Sequence, residues 1–284
     1  MGSAIRQAVL NIFFRAMQGF NEAIHNAVDI LSGLGISFDV FINGIHTVLR
    51  PFAFTIIGIC LLIELAQILQ RAEMIKIEHG ILIATKIVLA RLFIDFLPML
   101  MQAIYAQAAA WVGAIGTTTP GFTDANRVQL AMLVDNVSGL GASLALLASS
   151  LILALAIWIA GLMIQIVAIG RIFEIYVLVA ISPLPAAFFP LGSGDGTGFS
   201  RISLKFIRMF AAVCLQGVMM IICLSVFSIV MTGMMENAAL AITGTGNATA
   251  EVMRMAMLMV MGSIVLVMSV SKAGSWAKSI LDAA

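Results

Sequence analysis

Apolar side chains recur at helical spacing along residues 3–31: Ile5, Val9, Ile12, Phe13, Met17, Phe20, Ile24, Val28 and Leu31, with Arg6, Asn11, Arg15, Glu22 and His25 at other positions. This period predicts an amphipathic helix that lies in a membrane interface or docks on neighbouring helices. Gly33 and Gly35 interrupt it. Beyond residue 50 the pattern changes from one apolar face to apolar all round. Residues 136–170, between Asp135 and Arg171, form a run of thirty-five without an acidic, basic or His side chain. As a helix that run reaches about 50 Å, against a hydrocarbon core of about 30 Å. Residues 209–235 and 255–271 are also free of charge. A soluble helix needs polar residues on its outward face, and these have too few.

The pattern predicts spans at about 51–70, 80–104, 136–170, 208–233 and 254–271. Arg50-Pro51 opens the first, with Pro tolerated at a helix start. The connections are a short charged stretch at 71–78, a small and polar stretch at 105–137 with its turn at Thr117-Thr118-Thr119-Pro120-Gly121, a Gly-rich loop at 192–198 and a small, polar loop at 236–253. Residues 172–190 are apolar but carry Pro183, Pro185 and Pro190. Proline removes a backbone donor and drives the preceding residue out of helical geometry, so a helix continuing from the third span should stop near Ile181. The remainder is expected to turn back as a re-entrant segment buried in protein, because irregular backbone is not tolerated facing lipid. Arg171 and Glu174, three residues apart, would anchor this segment at the membrane boundary. The predicted fold is all-α: a polytopic bundle of about five spans, with a Pro-rich re-entrant segment and an N-terminal amphipathic helix. Residues 1–47 form the amphipathic or interfacial segment and 48–284 the transmembrane bundle.

Composition agrees with a bilayer setting. Of 284 residues, 62% are hydrophobic and 10% charged, with mean hydropathy +1.10, whereas soluble domains carry about 25% charged residues. A net charge of +1 offers no basic surface for nucleic acid, and no stable sequence-specific binding is expected. Cys60, Cys214 and Cys223 fall in apolar segments without ligand spacing and read as small buried hydrophobes. Arg6 and Arg15 interrupt the N-terminal apolar pattern, so no secretory signal is expected there.

Charges within spans are expensive, about 2.5–3.5 kcal/mol each on insertion scales, and so mark candidate sites. Glu64 falls in the first span; Lys86, Arg91 and Asp95 fall in the second. Arg91 and Asp95 are four apart and share a helix face, and Glu64 has the charge to neutralise Lys86 across two helices. The cluster reads either as an ion or proton pathway or as a mutually neutralising set that fixes packing. The later spans add no acids, which disfavours a proton-coupled carrier. His25, His46 and His79 are too far apart in sequence to draw a zinc cluster, and the glycines around Asp195 lack the Gly-Lys-Ser/Thr of a phosphate loop. No catalytic, cofactor or metal site is expected. Gly139, Gly141, Ala142, Ala145, Ser149, Ala156, Ala160 and Gly161 recur along the long span at intervals that let helix backbones approach closely in lipid. Nineteen methionines, twelve between Met209 and Met268, add adaptable packing surface.

Lys and Arg near span ends set orientation. Arg201, Lys205 and Arg208 precede one span, and Lys272 and Lys278 follow the next, which places the C-terminus in the cytoplasm. The first half leaves the side of the N-terminus open, because it depends on whether residues 172–190 cross.

Arg171 to Ala187, read as RIFEIYVLVAISPLPAA, follows a long uncharged span and precedes a Gly-rich loop. This arrangement, with Ser182-Pro183-Leu184 ending the apolar segment, resembles the TrbL-like polytopic inner-membrane subunit of conjugative type IV secretion systems. Length and span distribution look most like the shorter versions on Gram-positive mobile elements. Over about residues 50–272 the resemblance implies a non-catalytic inner-membrane channel or scaffold subunit. It would form a homo-oligomer, associate with other secretion subunits and membrane lipids, and meet DNA–protein substrate only transiently. It also implies five spans, an external N-terminus and a cytoplasmic C-terminus. The alternative class is a small-molecule or ion transporter. Transporters usually carry broken helices in both halves, and the Pro-rich break here has no counterpart near residues 50–100 beyond Pro98.

Overall fold

A computed structural model of the chain describes residues 2–33, 42–70, 77–135, 137, 139–188, 199–242 and 248–282. The described residues are helical, with no strand among them. In order they form α1 (Gly2–Leu31), a short π-helical segment (Ile42–His46), α2 (Thr47–Gln70), α3 (Ile77–Thr118), α4 (Asp124–Asp135), α5 (Leu140–Ile181), the single turn α6 (Pro183–Ala186), α7 (Phe199–Ile242) and α8 (Ala248–Asp282). Among the described residues, five stretches are long and apolar enough to cross a membrane: Gly44–Ile63, Ile83–Thr118, Leu140–Ile181, Ile202–Asn237 and Ala250–Leu281. The protein is an all-α polytopic bundle.

Several helices outrun the spans expected from polarity. Residues 105–118, expected in a polar connection, extend α3 to 42 residues. The stretch is rich in Ala, the best helix former, and small or weakly polar residues do not end a helix. Residues 172–181 likewise extend α5 to 42 residues, and α7 begins before Arg201, Lys205 and Arg208 rather than after them. At 1.5 Å per residue a 42-residue helix is about 63 Å long, roughly twice a hydrocarbon core. Pro51 lies inside α2 rather than at its start. The expected break at Gly35 and the loop at 192–198 lie outside the described residues.

The chain divides into two compact units. One comprises Met1–Ser32, Ala110–Gly170 and Gln216–Trp276. Here α1 docks on neighbouring helices through Val9, Phe13, Met17, Phe20, Ala23, Ile24, Ala27 and Leu31, all buried. Phe20 meets Phe122 edge-on at 6.4 Å and Phe227 at 5.1 Å between centroids. α4 packs against α1, with the Arg127 guanidinium 4.7 Å from the Phe14 ring centre and Arg6 Nη1 donating to the Asp135 carbonyl at 3.0 Å. The α3–α4 turn at residues 119–123 is held by side chains. Asn21 donates to the Phe122 carbonyl at 3.0 Å and accepts the Phe122 N–H at 3.1 Å, and Ser228 donates to the Pro120 carbonyl. Asn126 accepts the Thr123 N–H at 2.9 Å, closing the start of α4 as a capping box does. Irregular backbone among apolar helices therefore finds protein partners where water is scarce.

The other unit comprises Gly33–Ala109, Arg171–Leu215 and Ala277–Ala284. Gly33, at φ +82°, adopts the left-handed geometry glycine favours, and a Cβ there would come within 2.5 Å of the Tyr105 hydroxyl. α2 packs against α6, and α3 turns Ala90, Ile94, Leu97 and Met101 inward. In an apolar window of 18 residues along α7, which contributes to both units, half of the residues are buried, against 17–33% in the corresponding windows of the other four.

Candidate functional site

Three groups of residues stood out in the sequence, and the structure treats them differently. In the charge cluster, Asp95 of α3 pairs with Arg50 of α2. Arg91, the expected partner one turn before Asp95, is exposed. Both acceptor and donor belong to long helices, and Arg50 sits close enough across the helix pair to reach the carboxylate, so a cross-helix bridge replaces the intrahelical one. Arg50 also lies 5.9 Å from the centre of the Phe54 ring, one turn on. His46, in the π-helical segment just before α2, is buried at 6% exposure, and Lys86 at 8%. The expected Glu64–Lys86 pairing involves a Glu64 side chain outside the described residues. Arg50 and His46 escaped the sequence reading because Pro51 marked them as lying before the span; the helix starting at Thr47 was the missing signal.

The second group is the break after the long span. α5 ends at Ile181, the residue at which the prolines were expected to stop it. Ser182 is fully buried, and the Ala186 and Ala187 N–H groups continue one turn by donating to Ser182 and Pro183 carbonyls at 3.2 Å. Ser203 Oγ and the Phe188 N–H both donate to the Pro185 carbonyl. The polar backbone exposed by two prolines is thus re-satisfied within the unit. Arg171 Nη1 donates to Glu174 Oε2 at 2.7 Å, an i,i+3 bridge inside a continuous helix. Such a bridge neutralises a guanidinium beside ten further, mostly apolar, residues.

The third group is the small-residue series. Gly139 stands before α5 at φ +106°, and Ser143 bonds back to its carbonyl through both N–H and Oγ. Gly161 is the close approach within the chain: an added Cβ would lie 3.3 Å from Ala23 Cβ of α1. Gly141 differs, with nothing within 4 Å of that position. Ala145 and Ser149 are half-buried. The stripe that α5 turns inward is Ser143, Leu146, Ser150, Leu153, Ile157, Ala160, Ile164 and Ala168, while Leu144, Leu151, Leu155 and Ile166 point outward. Among the described residues no three His, Cys, Asp or Glu side chains gather as metal ligands.

Residues 36–183 match the family described as TrbL/VirB6 plasmid conjugal transfer like protein, which is more than half of the chain. The chain belongs to this family. The match takes in α2 to α5 and ends at Pro183, the first residue of α6, so the charge pair and the small-residue face lie within it, while α1, α7 and α8 do not. No curated protein and no solved structure matches the chain. As a TrbL/VirB6-type protein with five apolar helices long enough to cross a membrane, it is a multi-pass membrane component of conjugal transfer and type IV secretion, a family of structural subunits that associate with other subunits of the apparatus.

Proposed function

We propose that this TrbL/VirB6-type protein is a non-catalytic channel or scaffold subunit of the bacterial inner membrane that self-associates to support export of DNA–protein substrate. The observation that carries this reading is the outward face of α5. Gly141 opens onto free space and Ala145 lies beside it, among exposed Leu144, Leu151 and Leu155. Small residues on an apolar face bring helix backbones close enough for extensive van der Waals contact in lipid, where apolar surface alone gives no drive to associate. Because only 28% of an apolar 18-residue window of α5 is buried within its own chain, the helix retains surface for a second copy.

The same reading places the C-terminus in the cytoplasm, from Arg201, Lys205 and Arg208 at one end of α7 and Lys272 and Lys278 toward the end of α8. Lipids cover the remaining apolar faces. Substrate passes without stable, sequence-specific contact, in keeping with a net charge of +1. Residues 1–47 serve as a distinct N-terminal segment of the subunit. The test is to replace Gly141, Ala145 or Ser149 by Leu and measure DNA transfer from donor cells together with oligomer size. These variants are expected to insert at wild-type levels, lose the oligomer and lose transfer. Full transfer by all three variants would overturn the α5 interface.

A further inference from the structure

The outward face of α1 presents a different physical problem. Leu31 of α1 packs against Gly217 of α7, where an added Cβ would lie 3.4 Å from the Leu31 side chain, and Phe20 packs on Phe227 of the same helix. Residues 20–31 of α1 therefore run beside residues 217–227 of α7, inside the uncharged stretch 209–235. On its other flank Ala23 touches Gly161, well within the uncharged run 136–170. The C-terminal half of α1 is thus set against the lipid-compatible middle of two spans rather than at their charged ends.

At that depth α1 turns a polar face outward. Gln18, Glu22, His25, Asn26 and Asp29 are all exposed, and their spacing of three and four residues puts them on one side of the helix. The opposite side is the buried apolar stripe. A groove of about 270 Å³ lies along this face between α1 and α5, bounded by Arg15, Glu22 and Asn26 on one wall and by Trp158, Leu162 and Gln165 on the other. Gln165, within the uncharged run and six residues before Arg171, is itself polar and borders the same groove. Acidic and amide groups facing hydrocarbon are strongly disfavoured, and ionisable residues at membrane depth face a bundle interior or a water-filled cavity.

We propose that the face of α1 carrying Gln18, Glu22, His25, Asn26 and Asp29 lines a water-filled passage in the membrane-spanning part of the protein. This rests on the channel reading above, to which it adds the surface that is wet. The passage is amphoteric, with both acidic and basic groups along it, which suits the transit of charged macromolecules without binding them.

The experiment is cysteine accessibility. Cys60, Cys214 and Cys223 are replaced, and single cysteines are introduced at Gln18, Glu22, Asn26 and Asp29, with Ile264 and Met268 on the exposed apolar face of α8 as lipid-facing controls. A charged, membrane-impermeant thiosulfonate is applied to membranes containing the full chain. Only thiolate reacts, and thiolate forms where the thiol meets water, so the α1 positions are expected to react more than about tenfold faster than the controls. Rates matching Ile264 and Met268 would overturn the proposal, whether lipid or a partner helix covers the face. Leu at Glu22 and Asn26 gives a second arm: the proposal expects normal protein levels with reduced DNA transfer, and unchanged transfer would contradict it. Oligomer size measured on the same membranes separates the two ideas. A reactive α1 face in a monomer would support the wet face and overturn self-association, whereas an unreactive face in an intact oligomer would do the reverse.

Discussion

Gly161 and Gly141 belong to one series of small residues on one helix, yet their surroundings assign them opposite tasks. A side chain at Gly161 must displace Ala23 of α1, 3.3 Å from the added Cβ. Gly161→Leu should therefore lower thermal stability in detergent, by about 1–3 kcal/mol as overpacking usually does. Gly141→Leu meets open space and should leave the stability of the isolated subunit unchanged. Equal loss at both positions would show that α5 is packed differently within the chain. The charge pair makes a second test. Reversing Arg50 or Asp95 alone leaves a like-charge pair at α2–α3, whereas reversing both restores the bridge found between them. The double variant should recover assembled protein that each single variant loses, and reversal of exposed Arg91 should change little. Half-exposed ion pairs in water contribute only about 0.2–1 kcal/mol, but a lone charge within a span costs about 2.5–3.5 kcal/mol. The size of the recovery therefore reports whether the pair sits in lipid.

At the scale of elements, what polarity wrote into the sequence and what it omitted are distinct. The amphipathic period over residues 3–31 foretold α1, because buried Val9, Phe13, Met17 and Leu31 follow the helical repeat. α5 ends at Ile181, two residues before Pro183, but Ser182 keeps right-handed helical geometry and the turn Pro183–Ala186 follows directly. The expectation that the residue before each proline leaves the helix was therefore not met. Helix ends elsewhere were not legible. Residues 105–118 lose apolar character without losing helix propensity, so the boundary of a span and the end of a helix separate. Nor was the partner of Asp95 legible: sequence spacing reports neighbours along one helix and is silent about those across two. The α3–α4 turn illustrates the same limit, since Asn21 reaches Phe122 from about a hundred residues away. Asn21→Ala removes both bonds and leaves the part-buried Phe122 N–H and carbonyl wanting partners, at up to about 1–3 kcal/mol per group. Its unfolding midpoint in detergent should fall clearly below that of an exposed control such as Gln7→Ala. Equal midpoints would mean that water, rather than Asn21, satisfies the turn.

For the whole molecule, family membership and five apolar helices fix the setting as a conjugal transfer component in a membrane, and the proposed arrangement adds orientation and assembly. On the proposed topology of five crossings the two termini lie on opposite sides. Single cysteines at Gly194 and Gly244, both outside the described residues, are expected to label from opposite sides of the cell membrane, Gly244 from outside and Gly194 only after permeabilisation. A cysteine at Ser3 should behave like Gly244. Labelling of Gly194 from outside would invert the topology read from Arg201, Lys205 and Arg208. On the proposed assembly one copy of this chain is an incomplete structure, its α5 face made for another. The most direct measurement is the native mass of the purified wild-type protein in detergent. A defined multiple of 30.2 kDa, reduced to a single copy by Gly141→Leu, is the predicted result; a wild-type protein of single-copy mass would contradict it.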